Sequence, residues 1–150
     1  MGIALREAYK GMTANDGGPF GAVIVNNGRV IAKGHNRVVK TKDPTAHAEI
    51  VAIRRASKKL GRFDLSDCQI YSTCEPCPMC LAAIYWARIR RIFFGCTKED
   101  AAKIGFADEF IDAAIKGKLS PRKLRMNSID RESCLKLFAA WEQKPDRVSY

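Results

Sequence analysis

The stretch TCEPCPMC, residues 73–80, holds three of the six cysteines of this 150-residue chain and two of its six prolines. Cys77 and Cys80 are three positions apart, so on a helix they share one face, and Pro78 favours a first helical turn directly after Cys77. The positive end of a helix favours thiolate over thiol, and two thiolates make half of a tetrahedral zinc site. Cys74 has the same spacing to Cys77 but ends the preceding predicted strand, and we interpret it as a small buried residue.

Three other uses of clustered cysteines stay open from the spacing alone. A disulfide is disfavoured because we expect a cytosolic protein, with no apolar run near the ~20 residues that cross a bilayer and no signal-peptide pattern. A ferredoxin-like cluster needs a fourth nearby cysteine, and the isolated Cys68, Cys96 and Cys134 are expected in the core instead. A thioredoxin-like redox pair suits CxxC at a helix start and stays a minority alternative.

The composition is typical of one soluble globular domain with a basic surface. Hydrophobic residues make up 47% and charged residues 28% of the chain, with a net charge of +10. A basic balance is compatible with a nucleic-acid partner, but the charges are spread and we do not favour one. Among the basic stretches at residues 54–59, 87–91 and 116–125, the last is the best candidate for an anionic contact. We expect a cytoplasmic protein with no membrane partner.

The hydrophobic pattern predicts alternating helices and strands. The predicted helices are residues 3–12, 46–60, 78–89, 108–117 and 131–143. The predicted strands are residues 22–25, 30–34, 68–73, 91–95 and 123–129. Asn27 and Gly28 predict a hairpin turn between the first two strands, and the strand at 91–95 is expected to be buried. Tyr85 and Trp86 are expected in the core. Strand, helix and strand alternate from residue 61 to 95, which indicates a mixed sheet with helices on both faces.

His47 and Glu49 lie at the start of the other long predicted helix, in the stretch HAE. Side chains two positions apart point in different directions within a helix. At the first turn, however, both side chains can reach the same point just beyond the helix end. If the two helix starts face one site, His47, Cys77 and Cys80 supply three zinc ligands and leave the fourth position for water, as in catalytic zinc sites. Zinc lowers the pKa of its bound water to about 7, and Glu49 stands where a proton carrier is needed. We therefore predict one Zn²⁺ per chain.

The stretch HAE followed by PCPMC matches the H-x-E…P-C-x-x-C pattern of zinc deaminases. With GGPFGAVIV, DPTAHAEI, TCEPCPMCLAAIYWARI and GFADEF, the chain resembles the cytidine deaminase-like superfamily, and within it the bacterial guanine deaminases. The resemblance implies a three-layer α/β/α sandwich with a five-stranded mixed sheet. It also implies one domain over residues 1–150, in a homodimer whose subunits exchange their C-terminal segments.

The resemblance further implies four contacts to a purine base, by Phe20, Asn36, Asp108 and Tyr150. Asn36 would hydrogen-bond the base, Phe20 would line or stack on it, and Asp108 would recognise the purine edge. Tyr150 would close the pocket, from the partner subunit. Each residue also has an ordinary explanation: a turn cap for Asn36, a core position for Phe20, a helix cap for Asp108 and a frayed end for Tyr150.

The implied reaction is hydrolysis of guanine to xanthine and ammonia, with Glu49 as the proton shuttle. Deamination of adenosine in tRNA is an alternative that the net charge favours, and another nucleobase or nucleoside is a further one. A non-enzymatic protein with structural zinc would need a fourth Cys or His ligand, and the only other histidine is His35.

Overall fold

The structure, a computed structural model, describes residues 1–117 and 126–148. Its strands are β1 (Gly21–Asn26), β2 (Arg29–His35), β3 (Cys68–Cys74) and β4 (Arg91–Cys96). Its helices are α1 (Gly2–Thr13), α2 (Val38–Thr41), α3 (Ala48–Leu60), α4 (Pro78–Trp86), α5 (Lys98–Lys103), α6 (Glu109–Ile115) and α7 (Arg131–Gln143). The predicted helices and the first four predicted strands are therefore confirmed, and the short helices α2 and α5 add to them.

The four strands form one mixed sheet in the order β2-β1-β3-β4. β1 pairs antiparallel with both β2 and β3, whereas β3 and β4 are parallel. The hairpin turn between β1 and β2 uses the predicted Asn27 and Gly28, which both have positive φ, 45° and 75°. Such a turn matches the right-handed twist of the flanking strands.

The expectation of a fifth strand is wrong for the described residues. Residues 126–129, the described part of the predicted strand 123–129, form no strand and are exposed, and residues 123–125 lie outside the described part. A strand forms only where a neighbouring backbone satisfies its N–H and C=O groups, and residues 126–129 pair with none of the described strands.

The helices α1 and α3 cover opposite faces of the sheet. A Cβ atom on Gly21 would lie 2.1 Å from the carbonyl oxygen of Ala4 in α1, whereas one on Gly34 would lie 2.8 Å from that of Ala48 in α3. Gly21 pairs with His35, so these two residues face the same side of the sheet. Gly34 precedes His35 in β2 and therefore faces the opposite side, because successive strand positions alternate. The predicted α/β/α sandwich is thus confirmed.

The main core lies between the sheet and the helices α3 and α4. Its buried members are Ala22, Ile24, Ala32, Ala48, Ala52, Ala56, Leu65, Cys68, Ile70, Ile84, Ala87 and Ile89. The expected core position of Cys68 is confirmed. No helix within residues 1–117 and 126–148 combines the length and the apolar character needed to cross a membrane.

Several residues expected inside lie at the surface of the described chain. Tyr85 and Trp86 are 75% and 67% exposed, because α4 is apolar on every side and its pattern does not tell which side is buried. Phe93 and Phe94 of β4 are also exposed, since β4 is an edge strand. The expected core positions of Cys96 and Cys134 are wrong, as Cys96 ends this edge strand and Cys134 lies on the exposed α7.

Candidate metal centre and active site

Two helix N-termini meet at one point and carry the three predicted metal ligands. His47 is the N-cap of α3 and Cys77 is the N-cap of α4, each with extended backbone angles. Neither side chain caps its own helix, so both project beyond the helix ends. Cys80 follows one turn into α4, on the face that it shares with Cys77. The predicted convergence of the two helix starts is confirmed.

The distances among the three ligand atoms suit a zinc ion. The Nδ1 atom of His47 lies 3.5 Å from Sγ of Cys77 and 3.5 Å from Sγ of Cys80, and the three atoms lie within 4.8 Å of one another. With Zn–S about 2.3 Å and Zn–N about 2.0–2.1 Å, the N···S edge of a tetrahedron is about 3.6 Å. Three protein ligands leave a fourth position for water. Cys74 is not part of this group.

The two thiols of the group have opposite pKa shifts. A hydrogen bond from Cys80, with a further one from His47, lowers the pKa of Cys77 to about 4. The same bond raises the pKa of Cys80 above its usual range, and burial adds to the effect. A dication between the two sulfurs would favour the thiolate form of both cysteines.

Glu49 lies beside the metal group with both carboxylate oxygens engaged. It is 5% exposed, and its Oε1 accepts a hydrogen bond from the Ser72 hydroxyl at 2.8 Å. Its Oε2 lies 3.4 Å from Sγ of Cys80, on the metal side. Burial raises the pKa of Glu49 above its usual value. A buried carboxyl with a raised pKa is suited to take up and release a proton.

Ser72 is a site residue that the sequence reasoning missed. It is 0% exposed on β3, where it orients the Glu49 carboxylate. A hydroxyl inside an otherwise buried strand needs a hydrogen-bond partner, and this is the signal that could have identified it.

A cavity of about 510 Å³ opens onto the metal group. Six predicted site residues line it: Phe20, Asn36, His47, Glu49, Cys77 and Asp108. Cys80 lies behind this wall and is fully buried. Tyr150 falls outside the described residues. Lining residues that the sequence reasoning did not find include Val38, Val39, Glu75, Met79, Lys98 and Phe106.

Two of the lining residues, Asn36 and Asp108, offer a hydrogen-bond donor and a hydrogen-bond acceptor. The backbone N–H of Val38 donates to Oδ1 of Asn36 at 3.1 Å, which leaves the amino group of Asn36 as a donor for a ligand. Asp108 is the N-cap of α6, but its carboxylate makes no cap hydrogen bond. Burial raises the pKa of Asp108. The cavity thus presents the amide donor of Asn36 and the carboxylate of Asp108, beside the carboxylates of Glu49 and Glu75 and the ammonium group of Lys98.

The rings of Phe20 and Phe106 form part of the apolar wall of the cavity. Their centroids are 4.9 Å apart at an interplanar angle of 87°, an edge-to-face contact. Phe20 also packs against the core, so it occupies both a core position and its predicted place in the pocket wall. An apolar wall with a few polar groups is typical of small-molecule sites.

Residues 1–96 match the family described as the cytidine and deoxycytidylate deaminase zinc-binding region. This span contains His47, Glu49, Cys77 and Cys80. The chain belongs to this family of zinc-dependent deaminases, and its His-Cys-Cys group is the family's zinc site.

Individual relatives extend the similarity along the whole chain. The chain is 46% identical over 147 residues to a guanine deaminase of Bacillus subtilis, covering 98% of this chain and 94% of that protein. A solved structure of guanine deaminase from Bacillus subtilis superposes with a TM-score of 0.93 at 45% identity, covering 99% of this chain and 95% of that one. A tRNA-specific adenosine deaminase of Buchnera aphidicola is 36% identical over 141 residues, covering 93% of this chain and 89% of that protein.

Proposed function

We propose that this chain is a zinc-dependent aminohydrolase that converts guanine and water to xanthine and ammonia. The observation that carries this proposal is the cavity, in which an amide donor and a carboxylate face the space beside the metal group and Glu49. The near full-length similarity to the guanine deaminase of Bacillus subtilis supports guanine over other amino-substituted bases. We place the protein in the reducing cytoplasm, where its thiolates stay available for the metal.

Glu49 is the proton shuttle of the proposed reaction. When bound, one zinc ion per chain supplies a water that ionises near neutral pH. Glu49 accepts a proton at Oε2, on the metal side, while the Ser72 hydroxyl holds Oε1 in place. It delivers this proton to a ring nitrogen of the base, then takes up the remaining proton of the attacking oxygen and passes it to the departing amine as the C–N bond breaks. The water oxygen thereby replaces the amino group as a carbonyl.

The proposed contacts to the base follow from hydrogen-bond complementarity. The amino group of Asn36 donates to a carbonyl or ring-nitrogen acceptor of the purine, and the carboxylate of Asp108 accepts from purine N–H groups. Guanine carries both kinds of group, so it pairs with both residues. A base that lacks one of them leaves a buried polar group unpaired, which is a strong source of discrimination. The Phe20 ring packs against the base.

We also propose that the chain is a single domain, residues 1–150, that pairs with a second copy through its C-terminal segment. Every residue of α7 is exposed in the described chain, including the large apolar side chains of Leu135, Phe138 and Trp141. Phe93 and Phe94 of β4 are exposed as well. A second copy would cover both surfaces, and Tyr150 would then close the partner's cavity over the base.

Ammonia release from guanine, guanosine, adenine, cytosine and a tRNA anticodon stem-loop tests the substrate assignment. We expect turnover of guanine at the highest kcat/KM, with little dependence on salt above moderate ionic strength. Deamination of a tRNA substrate would instead fall steeply with salt, because each neutralised phosphate adds to the slope. Turnover of the stem-loop without turnover of guanine would replace our proposal by tRNA adenosine deamination, which the net charge of +10 favours.

A further inference from the structure

A second cluster of ionisable side chains is buried on the other face of the sheet. His35, Glu7 and Asp16 are 7%, 5% and 6% exposed. The Nε2 atom of His35 lies 2.8 Å from Oδ2 of Asp16, and its Nδ1 atom lies 3.4 Å from Oε2 of Glu7. Lys40 and Lys33 extend the cluster, with ion pairs of 3.0 Å to Asp16 and 2.9 Å to Glu7.

This cluster has no part in the chemistry described above. Burying ionisable groups is costly unless each is paired, so the cluster needs an explanation. Hydrogen bonds from His35 and Lys40 lower the pKa of Asp16. Burial opposes ionisation of Glu7, but the hydrogen bonds from Lys33 and His35 outweigh it and lower its pKa. Both carboxylates are therefore held in the charged form that binds His35.

The His35 ring is held in one place from several sides. A Cβ atom on Gly11 of α1 would lie 2.5 Å from Cδ2 of His35, so the helix backbone packs directly against the ring. Glu7 of the same helix contacts one ring nitrogen, and Asp16, in the loop after α1, contacts the other. His35 thus ties α1 and the following loop to the end of β2.

The residue after His35 is Asn36, which offers its amino group to the cavity. A Cβ atom on Gly17 would lie 2.1 Å from Oδ1 of Asn36, so the loop held by Asp16 touches this side chain. The N–H of Asn36 donates to the carbonyl of Phe20 at 3.0 Å, and the N–H of Lys40 donates to the carbonyl of Asp16 at 3.0 Å. The loop and α2 therefore enclose Asn36 from both sides.

We propose that His35 and Asp16 are positioning residues that hold Asn36 in the orientation that binds the base. This role rests on the proposed function, in which Asn36 donates to the purine. The His35–Asp16 contact fixes the loop against Asn36, while Val38 fixes its Oδ1. The amino group is then aimed into the cavity before the base arrives, and no binding energy is spent on ordering it.

Hydrogen exchange of backbone amides tests the positioning without any ligand. In Asp16→Ala we expect the protection of the Val38 and Asn36 amides to fall about tenfold relative to the Val51 amide of α3, a local opening. Lys33→Met is the matched control, because it removes an ion pair of similar length from the Glu7 end of the cluster. It should leave all three amides unchanged. If Asp16→Ala does not fold, hydrogen exchange of the same three amides is measured in Asp16→Asn, with the same expected result.

A double-mutant cycle with Asn36 tests the link to the base. Binding of guanine is measured in a Glu49→Gln background, where no turnover interferes. With Asn36 intact, Asp16→Ala should weaken guanine binding about tenfold. In the Asn36→Ala background the same substitution should weaken it less than about threefold, because the effects of residues that act through one another are not additive. Lys33→Met should leave binding unchanged in both backgrounds.

Two results would overturn the positioning role. Equal loss of protection at the Val38, Asn36 and Val51 amides would mean that Asp16 only stabilises the fold. Additive effects of Asp16→Ala and Asn36→Ala on guanine binding would mean that Asp16 acts independently of Asn36. Absence of guanine binding by the parent protein would instead reject the proposed substrate, and the exchange measurement would still decide whether Asp16 and its contact with His35 hold Asn36.

Discussion

Helices α3 and α7 are both 13 residues long, both amphipathic, and both carry a glutamate at the second helical position. Six residues of α3 are buried, whereas no residue of α7 is buried in the described chain. The apolar face of α3 packs on β1 and β2, and its start faces the cavity. An amphipathic pattern thus reports that a helix has a face to bury, but not which surface covers it or whether that surface belongs to the same chain.

The largest expected effect concerns the metal group, which lies at the starts of α3 and α4. Cys80→Ser should abolish zinc binding, because the two remaining ligands, His47 and Cys77, are too few to hold the ion. Turnover should be lost with the zinc. Cys134→Ser on α7 and Cys74→Ser in the cavity wall should keep one ion per chain. Metal analysis of the purified variants, with circular dichroism to verify folding, measures this. Equal zinc loss in Cys74→Ser and Cys80→Ser would defeat the ligand assignment.

The two glutamates at equivalent helix positions give the next comparison. Glu49→Gln should lower kcat by about 1000-fold or more with zinc retained, since an amide cannot accept and return the proton. Glu132→Gln makes the same change at the start of α7 and should leave kcat within about twofold, as expected for an exposed surface position. Steady-state kinetics on zinc-loaded protein measures both. Substantial activity of Glu49→Gln would assign the proton transfer to another group.

The exposed face of α7 gives a smaller effect, on assembly. Phe138→Glu places a charge among the apolar side chains of Leu135 and Trp141 and should weaken self-association about tenfold or more. Lys136→Glu changes a charge away from that face and should have little effect on assembly. Sedimentation equilibrium measures the dissociation constants. A parent protein that stays monomeric at all concentrations would contradict the proposed pairing of C-terminal segments.

The smallest expected effect lies on the exposed side of α3. Lys59 and Arg55 donate to the carbonyl oxygens of Ile31 and Lys33, at 3.0 Å and 2.8 Å, and so cover the open edge of β2. Lys59→Met should lower the free energy of unfolding by about 0.5–1.5 kcal/mol, the usual net value of one hydrogen bond. Lys58→Met is the neighbouring control, and urea denaturation measures both. Equal effects of the two substitutions would show that the edge contact adds nothing.

The zinc ligands and most of the helices and strands were predictable from the sequence, and the same stretch HAE predicts Glu49 as the proton shuttle. His47 and Glu49, like Cys77 and Cys80, are close in sequence at a helix start, and helix geometry converts such spacing directly into spatial proximity. The hairpin at Asn27 and Gly28 is local in the same sense. The elements and the spacing within each helix start needed only local geometry, whereas the meeting of the two helix starts was expected from the H-x-E…P-C-x-x-C pattern.

The tertiary structure alone decided how distant segments meet. It placed Ser72 of β3 against Glu49 of α3, and the His35 ring between Glu7 and Asp16, and no spacing along the chain encodes those contacts. It also left Tyr85 and Trp86 of α4 exposed, because a helix that is apolar all round carries no pattern that marks its buried side. Local periodicity determines what an element is, whereas packing determines what it touches.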